Sequence, residues 1–152
     1  VHVHGGRFDV AHLRLRSRMT LHLAPGALLS HVPDFTRYPA LAWADGHRAL
    51  IGGDELEDVA ITGLGAIDGN GQAVWPIAQA RIDARADDPR ADGERVRFGL
   101  LLKRCRNVRV RDITIRNTPM FLMGLDDCDG AVVGGVRLEA PIAGEALAQV
   151  ED

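Results

Sequence analysis

The chain has 152 residues, 46% of them apolar and 26% charged, with a net charge of −3. That length suits one domain able to bury a core, and the slightly acidic balance gives no global reason to expect nucleic acid as a partner. No apolar run approaches the roughly 18–20 residues of a membrane-spanning helix, so no membrane association is expected, and no signal peptide follows Val1.

Taken in chain order, His2 and His4 alternate with Val1 and Val3 on one strand face. A metal site would need at least one further ligand, so the expectation is a solvent-facing strand and no metal. Met19-Thr20-Leu21-His22-Leu23 alternates as a strand. Residues 32–48 carry Pro33, Tyr38, Pro39, Trp43 and Gly46 and read as a loop. Gly63-Leu64-Gly65 invites a dinucleotide reading, but Asp68 stands where the third glycine belongs and Asp68-Gly69-Asn70-Gly71 breaks helices, so a tight turn is expected. That tetrapeptide also lacks the Gly and Glu of a calcium loop. Residues 81–95, dense in charge around Pro89 and Gly93, predict an exposed excursion.

From Arg95 to Arg116 eight basic residues (Arg95, Arg97, Lys103, Arg104, Arg106, Arg109, Arg111, Arg116) face one acid, Asp112. Such a stripe can steer a polyanion. Arg109 and Arg111, however, alternate with Val108 and Val110, which predicts a solvated outer face. Asp126-Asp127 is the one candidate for a catalytic carboxylate pair, but its place before Cys128 suits a turn, where Asp is favoured. Cys105 and Cys128 form neither a disulfide framework nor a zinc site. One repeat apart, they are expected as stacked buried thiols.

The repeat is the organising signal. Residues 58–66, 107–115 and 130–138 each read apolar-x-apolar, two polar or glycine residues, then apolar-x-apolar: two short strands around a bend. Val59, Val108 and Ala131 are equivalent positions in the three, and Met19 begins a similar strand upstream. Stacked coils of this kind bury a core that one coil cannot bury alone, and residues 105–140 leave no room for intervening helices. The predicted fold is all-β, a right-handed parallel β-helix seen as a partial stack.

Several segments resemble a known family. Leu15 to Leu23 leading to Gly26-Ala27-Leu28-Leu29, followed by Tyr38-Pro39, is similar to the opening of glycoside hydrolase family 28, the polygalacturonases. Ile61-Thr62-Gly63-Leu64-Gly65-Ala66-Ile67-Asp68-Gly69-Asn70-Gly71 resembles its glycine-rich turn, and Cys105 to Pro119 and Cys128 to Pro141 resemble its next two coils. Departures are a single Trp75 for two tryptophans, Asn117-Thr118-Pro119-Met120-Phe121 for Asn-Ser-Pro before a Trp, and Val96 in place of a proline. The resemblance implies inverting hydrolysis of α-1,4 linkages in a pectic, uronate-containing polysaccharide, without a cofactor, in a secreted or periplasmic parent. It also implies a substrate groove along the strand before each bend, near residues 97–102 and 119–125.

After Ala140-Pro141 the family continues into Asn-Thr-Asp-Gly, Asp-Asp, His-Gly and Arg-x-Lys motifs, none of which occurs in residues 142–152. No catalytic residue is therefore assigned, and no substrate-binding residue is singled out. Residues 1–152 are expected to be one partial β-helix domain truncated at both ends, with 142–152 a divergent tail, inactive alone and self-associating through open coil ends. Two alternatives stay open. One is a non-catalytic carbohydrate-binding or structural β-helix; the other is a pectate-lyase type enzyme, which would need a calcium-binding acid cluster not found here.

Overall fold

The computed structural model describes residues 1–84 and 96–140. Its strands fall into successive coils. The first holds β1 (His2–Val3), β2 (Gly6–Val10) and β3 (Leu13–Arg14). The second holds β4 (Met19–Leu23), β5 (Ala27–His31) and β6 (Arg48–Asp54), and the third β7 (Glu57–Gly63), β8 (Ala66–Asp68) and β9 (Val96–Lys103). The fourth holds β10 (Arg106–Arg111), β11 (Thr114–Arg116) and β12 (Phe121–Asp126), and β13 (Val132–Gly134) and β14 (Arg137–Glu139) open a fifth.

Equivalent strands pair in parallel, giving a first sheet β1-β4-β7-β10-β13, a second sheet β2-β5-β8-β11-β14 and a third sheet β3-β6-β9-β12. The chain is a right-handed parallel β-helix. The register follows the sequence repeat: Met19 lies beside Val59, Val59 beside Val108, and Arg109 beside Val132.

Because the register is in phase, each inward position becomes a column of like side chains. Leu21, Ile61 and Val110 stack in the first sheet, Leu29, Ile67 and Ile115 in the second, and Ile51 and Leu100 in the third, all buried. Each such side chain contributes about 1.5–3 kcal/mol relative to exposure. Outward neighbours such as Arg109 and Arg111 are exposed, as their alternation predicts. Corners are stacked too. Where the chain passes from the third sheet to the first, Glu55, Arg104 and Asp127 hold φ of 54°, 50° and 52°, and three residues later Asp58, Asn107 and Gly130 hold 54°, 53° and 65°, with Arg18 at 57° in the coil below. These left-handed residues turn the chain sharply, which explains the Asn, Asp and Gly at many of them. Asn107 Nδ2 donates to Asp58 Oδ1 at 2.6 Å, tying one corner to the next.

Two expectations need correction. Residues 71–83 form a helix, α1 (Gly71–Asp83), directly after the expected turn and where no helix is anticipated from the sequence. The breaking residues lie ahead of it. Asn70, at φ 50°, accepts from the amides of Ala73 and Val74 at 3.1 and 3.2 Å and so launches the first turn, and the run of Ala, Val, Gln and Ile behind it propagates the helix. The charged excursion therefore starts as helix, and its residues 85–95 lie outside the described residues, as does the tail 142–152. The 32–48 loop holds two short 3-10 turns, Phe35–Arg37 and Ala42–Ala44.

The second correction concerns the cysteines. Both are free thiols on adjacent coils, but only Cys105 is buried, while Cys128 is half-buried. Cys105 Sγ donates to the Lys103 carbonyl at 3.2 Å, and burial pushes this thiol up from its ordinary pKa. The cysteine of the higher coil has less protein over it.

Candidate functional site

The outer face of the third sheet carries a second apolar cluster, separate from the main core. Leu41 and Ala44 from the 32–48 loop pack on Ala49 and Leu101, flanked by Trp43 and Phe98. The loop lies down on the sheet because the strands beneath it are glycine-rich. A Cβ on Gly52 would stand 3.1 Å from His12 Cε1 and 3.4 Å from the Trp43 ring. Tyr38 pins the loop's base, its buried hydroxyl 3.1 Å from the carbonyls of both Val10 and Val32.

Above this loop, toward the higher coils, the same face opens into a cleft of about 200 Å³. Phe98, Leu101, Leu125 and Gly124 line its apolar part, and Asp45, His47, Lys103 and Asp126 its polar part. Gly124 makes room for it, since a Cβ there would meet Leu101 Cδ1 and Phe98 Cε1 at 3.0 Å. The Phe98 ring stacks on Phe121 with centroids 5.1 Å apart and planes inclined by 26°, and Phe121 is 46% exposed. Lys103 Nζ lies 3.0 Å from Asp126 Oδ2 across β9 and β12, and the Asp126 side chain is 58% exposed.

The groove implied by the resemblance, near 97–102 and 119–125, falls on the two strands that line this cleft. Sequence reasoning missed Asp45 and His47, because a loop's sequence does not say which sheet face it covers. It also placed Lys103 with the basic stripe, whereas Lys103 belongs to the cleft. Much of that stripe is paired with acids of neighbouring coils. Arg104 Nη2 lies 2.6 Å from Asp54 Oδ2, Arg116 Nε 2.9 Å from Asp68 Oδ2, and Arg106 pairs with Glu57. The repeat spacing would have found these partners, since Arg106 and Glu57 are register neighbours.

Asp126 and Asp127 do not converge as a pair. Asp126 ends β12 bound to Lys103, while Asp127 occupies a corner at φ 52°. His2 and His4 also separate: the His2 ring sits 4.9 Å from that of His22 on the next coil, and His4 stacks on Phe8 at 6.0 Å. Among the described residues no group of three potential metal ligands comes together.

On the far side of the third sheet's edge, the segment Asn117-Thr118-Pro119 anchors α1. The Gly71 amide donates to the Asn117 carbonyl at 2.8 Å and Trp75 Nε1 to the Pro119 carbonyl at 2.5 Å. Trp75 thus fastens the helix to the coil above it.

Stacked parallel coils with an outer cleft on one sheet define a parallel β-helix. The sequence profile of glycosyl hydrolases family 28 matches residues 33–145, and the chain belongs to that family. It is 29% identical over 89 residues to a polygalacturonase of Juniperus ashei, a stretch covering 57% of this chain and 16% of that one. In structure it is similar to the family 28 exopolygalacturonase of Yersinia enterocolitica, with TM-score 0.73, 21% identity, and coverage of 91% of this chain and 32% of the other. A hyperthermoactive exopolygalacturonase from Thermotoga maritima gives TM-score 0.70 at 20% identity, with coverage of 91% and 38%. The chain thus spans only a fraction of the length of these relatives.

Proposed function

We propose that this chain is the early-coil portion of a polygalacturonase-like enzyme. In this reading it supplies part of the wall of a groove that holds a pectic, uronate-containing polysaccharide. The observation that carries the proposal is the coincidence of two things: the family match over residues 33–145 and a loop-walled cleft on β9 and β12. Inverting hydrolysis needs one carboxylic acid at the leaving oxygen and a second carboxylate, about 6.5–9.5 Å away, to activate water. In this chain the Asp126 side chain is largely exposed and tied to Lys103, the reverse of the dry, unpaired setting that keeps a carboxyl protonated. Among the described residues Asp54 and Asp68 are likewise tied to arginines. Chemistry is therefore assigned to further coils of the intact parent, and the 152-residue chain is a binding wall without turnover.

The test is release of reducing ends from polygalacturonate by the purified chain. The expected signal equals that of a protein-free blank. Turnover that vanishes in Asp126→Asn or Asp127→Asn would overturn the assignment and make that residue catalytic.

A further inference from the structure

Cys105 and Cys128 do not line the cleft, yet the coils set them in a defined relation. Arg106 lies beside Asp129 in register, and the Asp129 amide donates to the Cys105 carbonyl at 2.9 Å. One residue earlier in each coil, the two cysteines are direct neighbours at the corner between the third and first sheets, about 4.8 Å apart. Their thiols are held alike. Cys105 Sγ lies 3.2 Å from the Lys103 carbonyl of its own coil and 3.8 Å from the Gly53 carbonyl of the coil beneath. Cys128 Sγ lies 3.5 Å from the Asp126 carbonyl of its own coil and 3.5 Å from the Leu102 carbonyl beneath. Gly53 and Leu102 are themselves register partners, so one thiol repeats the other a coil higher.

That repetition selects what the pair can hold. Side chains aimed alike stay one strand spacing apart, wider than the roughly 3.8 Å between the Cβ atoms of a disulfide, and both thiols are free. Zinc takes four ligands, and among the described residues no group of three His, Cys, Asp or Glu comes together. A soft cation held in line by two thiolates needs its sulfurs two metal–sulfur bonds apart. At about 2.3 Å each that is about 4.6 Å, close to the spacing the coils impose. Soft thiolate ligands favour cuprous copper. Burial pushes the Cys105 thiol up from its ordinary pKa and keeps it protonated, but a thiol that coordinates a metal loses its proton outright. Cys128 is half-buried and leaves the cation a way in.

We propose that Cys105 and Cys128 form a two-coordinate site for a cuprous ion, seated between the two sulfurs and bridging the fourth and fifth coils. Binding exchanges protons for metal: two thiols and one Cu⁺ give a bis-thiolate complex of net charge −1 and two released protons. No electron is transferred. The ion pins the fifth coil, whose β13 and β14 pair with the fourth coil through three residues each. The site is independent of the glycan reading.

The test is anaerobic titration of cuprous ion into the reduced 152-residue chain against a cuprous-selective chelating dye, with circular dichroism to follow folding. One copper per chain should bind, two protons should be released, and the melting temperature should rise. Cys128→Ser, at the half-buried position, should stay folded and weaken binding by more than about 100-fold, since losing even a group that only orients a ligand costs about 10–100-fold. Zinc at equal concentration should not displace the copper. Copper surrendered wholly to the dye by the wild-type chain would overturn the proposal, as would a folded Cys128→Ser chain that binds as tightly as the wild type. One copper shared between two chains, fewer than two protons released, or displacement by zinc would each overturn the two-thiolate site without recourse to the variant. Ready formation of a Cys105–Cys128 disulfide with oxidised glutathione would show the sulfurs closer than the coils imply, and would remove the spacing that carries the proposal.

Discussion

At His31 the imidazole is enclosed between the edge of Tyr38, 4.5 Å away, and the Gly69 backbone, whose carbonyl accepts from Nδ1 at 2.6 Å. Nε2 is buried with no partner among the described residues, and burial lowers the pKa from its ordinary 6.5, outweighing the pull of the Gly69 carbonyl and of Asp68. A base with a lowered folded pKa binds fewer protons in the native state than in the unfolded one. Stability is therefore full above the unfolded value and is lost as pH falls below about 6.5 toward the depressed one. The unfolding free energy from urea titration should fall between pH 7 and pH 5 with a slope of up to about 1.4 kcal/mol per pH unit. His31→Gln, which can still donate to the Gly69 carbonyl, should flatten that slope. An equal slope in the variant would assign the pH sensitivity to another group. Nothing in the sequence announced this residue: Ser30-His31 reads as the end of a strand, and its enclosure depends on where Tyr38 and the turn before α1 come to rest.

Among the elements, the turn between β7 and β8 shows how closely the coils fit. Gly63 sits at φ 111°, and a Cβ there would lie 2.0 Å from the Leu23 carbonyl oxygen of the coil beneath. Gly134 is an instructive contrast, since its added Cβ would meet only the Arg111 guanidinium, at 3.7 Å. Gly63→Ala should cost about 2–3 kcal/mol from strain and displacement of the lower coil, whereas Gly134→Ala should stay within about 0.5 kcal/mol. Urea unfolding of both variants checks the difference, and equal losses would mean that the coils yield more readily than their packing implies. The strand pairs around these bends were legible in the sequence because a period-2 pattern recurring at matched positions specifies both the face and the register. The helix was not legible. Asp68-Gly69-Asn70-Gly71 reads as a tight turn, and a turn is what stands there, but turn chemistry at a helix entrance looks much like turn chemistry that leads nowhere. The cleft was half legible: its strands follow from the repeat, while the loop residues over them depend on a tertiary contact, Trp43 lying on Gly52.

For the whole molecule, the stack leaves apolar surface at both described ends. Beneath the first coil an apolar cavity of about 410 Å³ is lined by residues including Phe8, Leu13, Leu15 and Leu21, and at the other end Val132, Val133 and Leu138 are 44%, 45% and 49% exposed. Apolar surface beside open strand edges favours pairing with other chains. The 152-residue chain alone should therefore sediment at micromolar concentration as species larger than a monomer. One monomeric boundary with a single sharp melt would show that these ends are covered in solution. The coils also differ in length at one corner far more than at the others. Between the second and third sheets the chain runs through 32–47, then 69–95, then only 117–120, while the other corners turn within a few residues. Connections of such different length still deliver the chain to the third sheet, where after one register irregularity at Arg48/Ala49 the inward pair Ile51 and Leu100 stays in phase. Changes of length, usually the most damaging to a packed domain, would at this corner fall beside the proposed groove and leave the stacked frame unchanged.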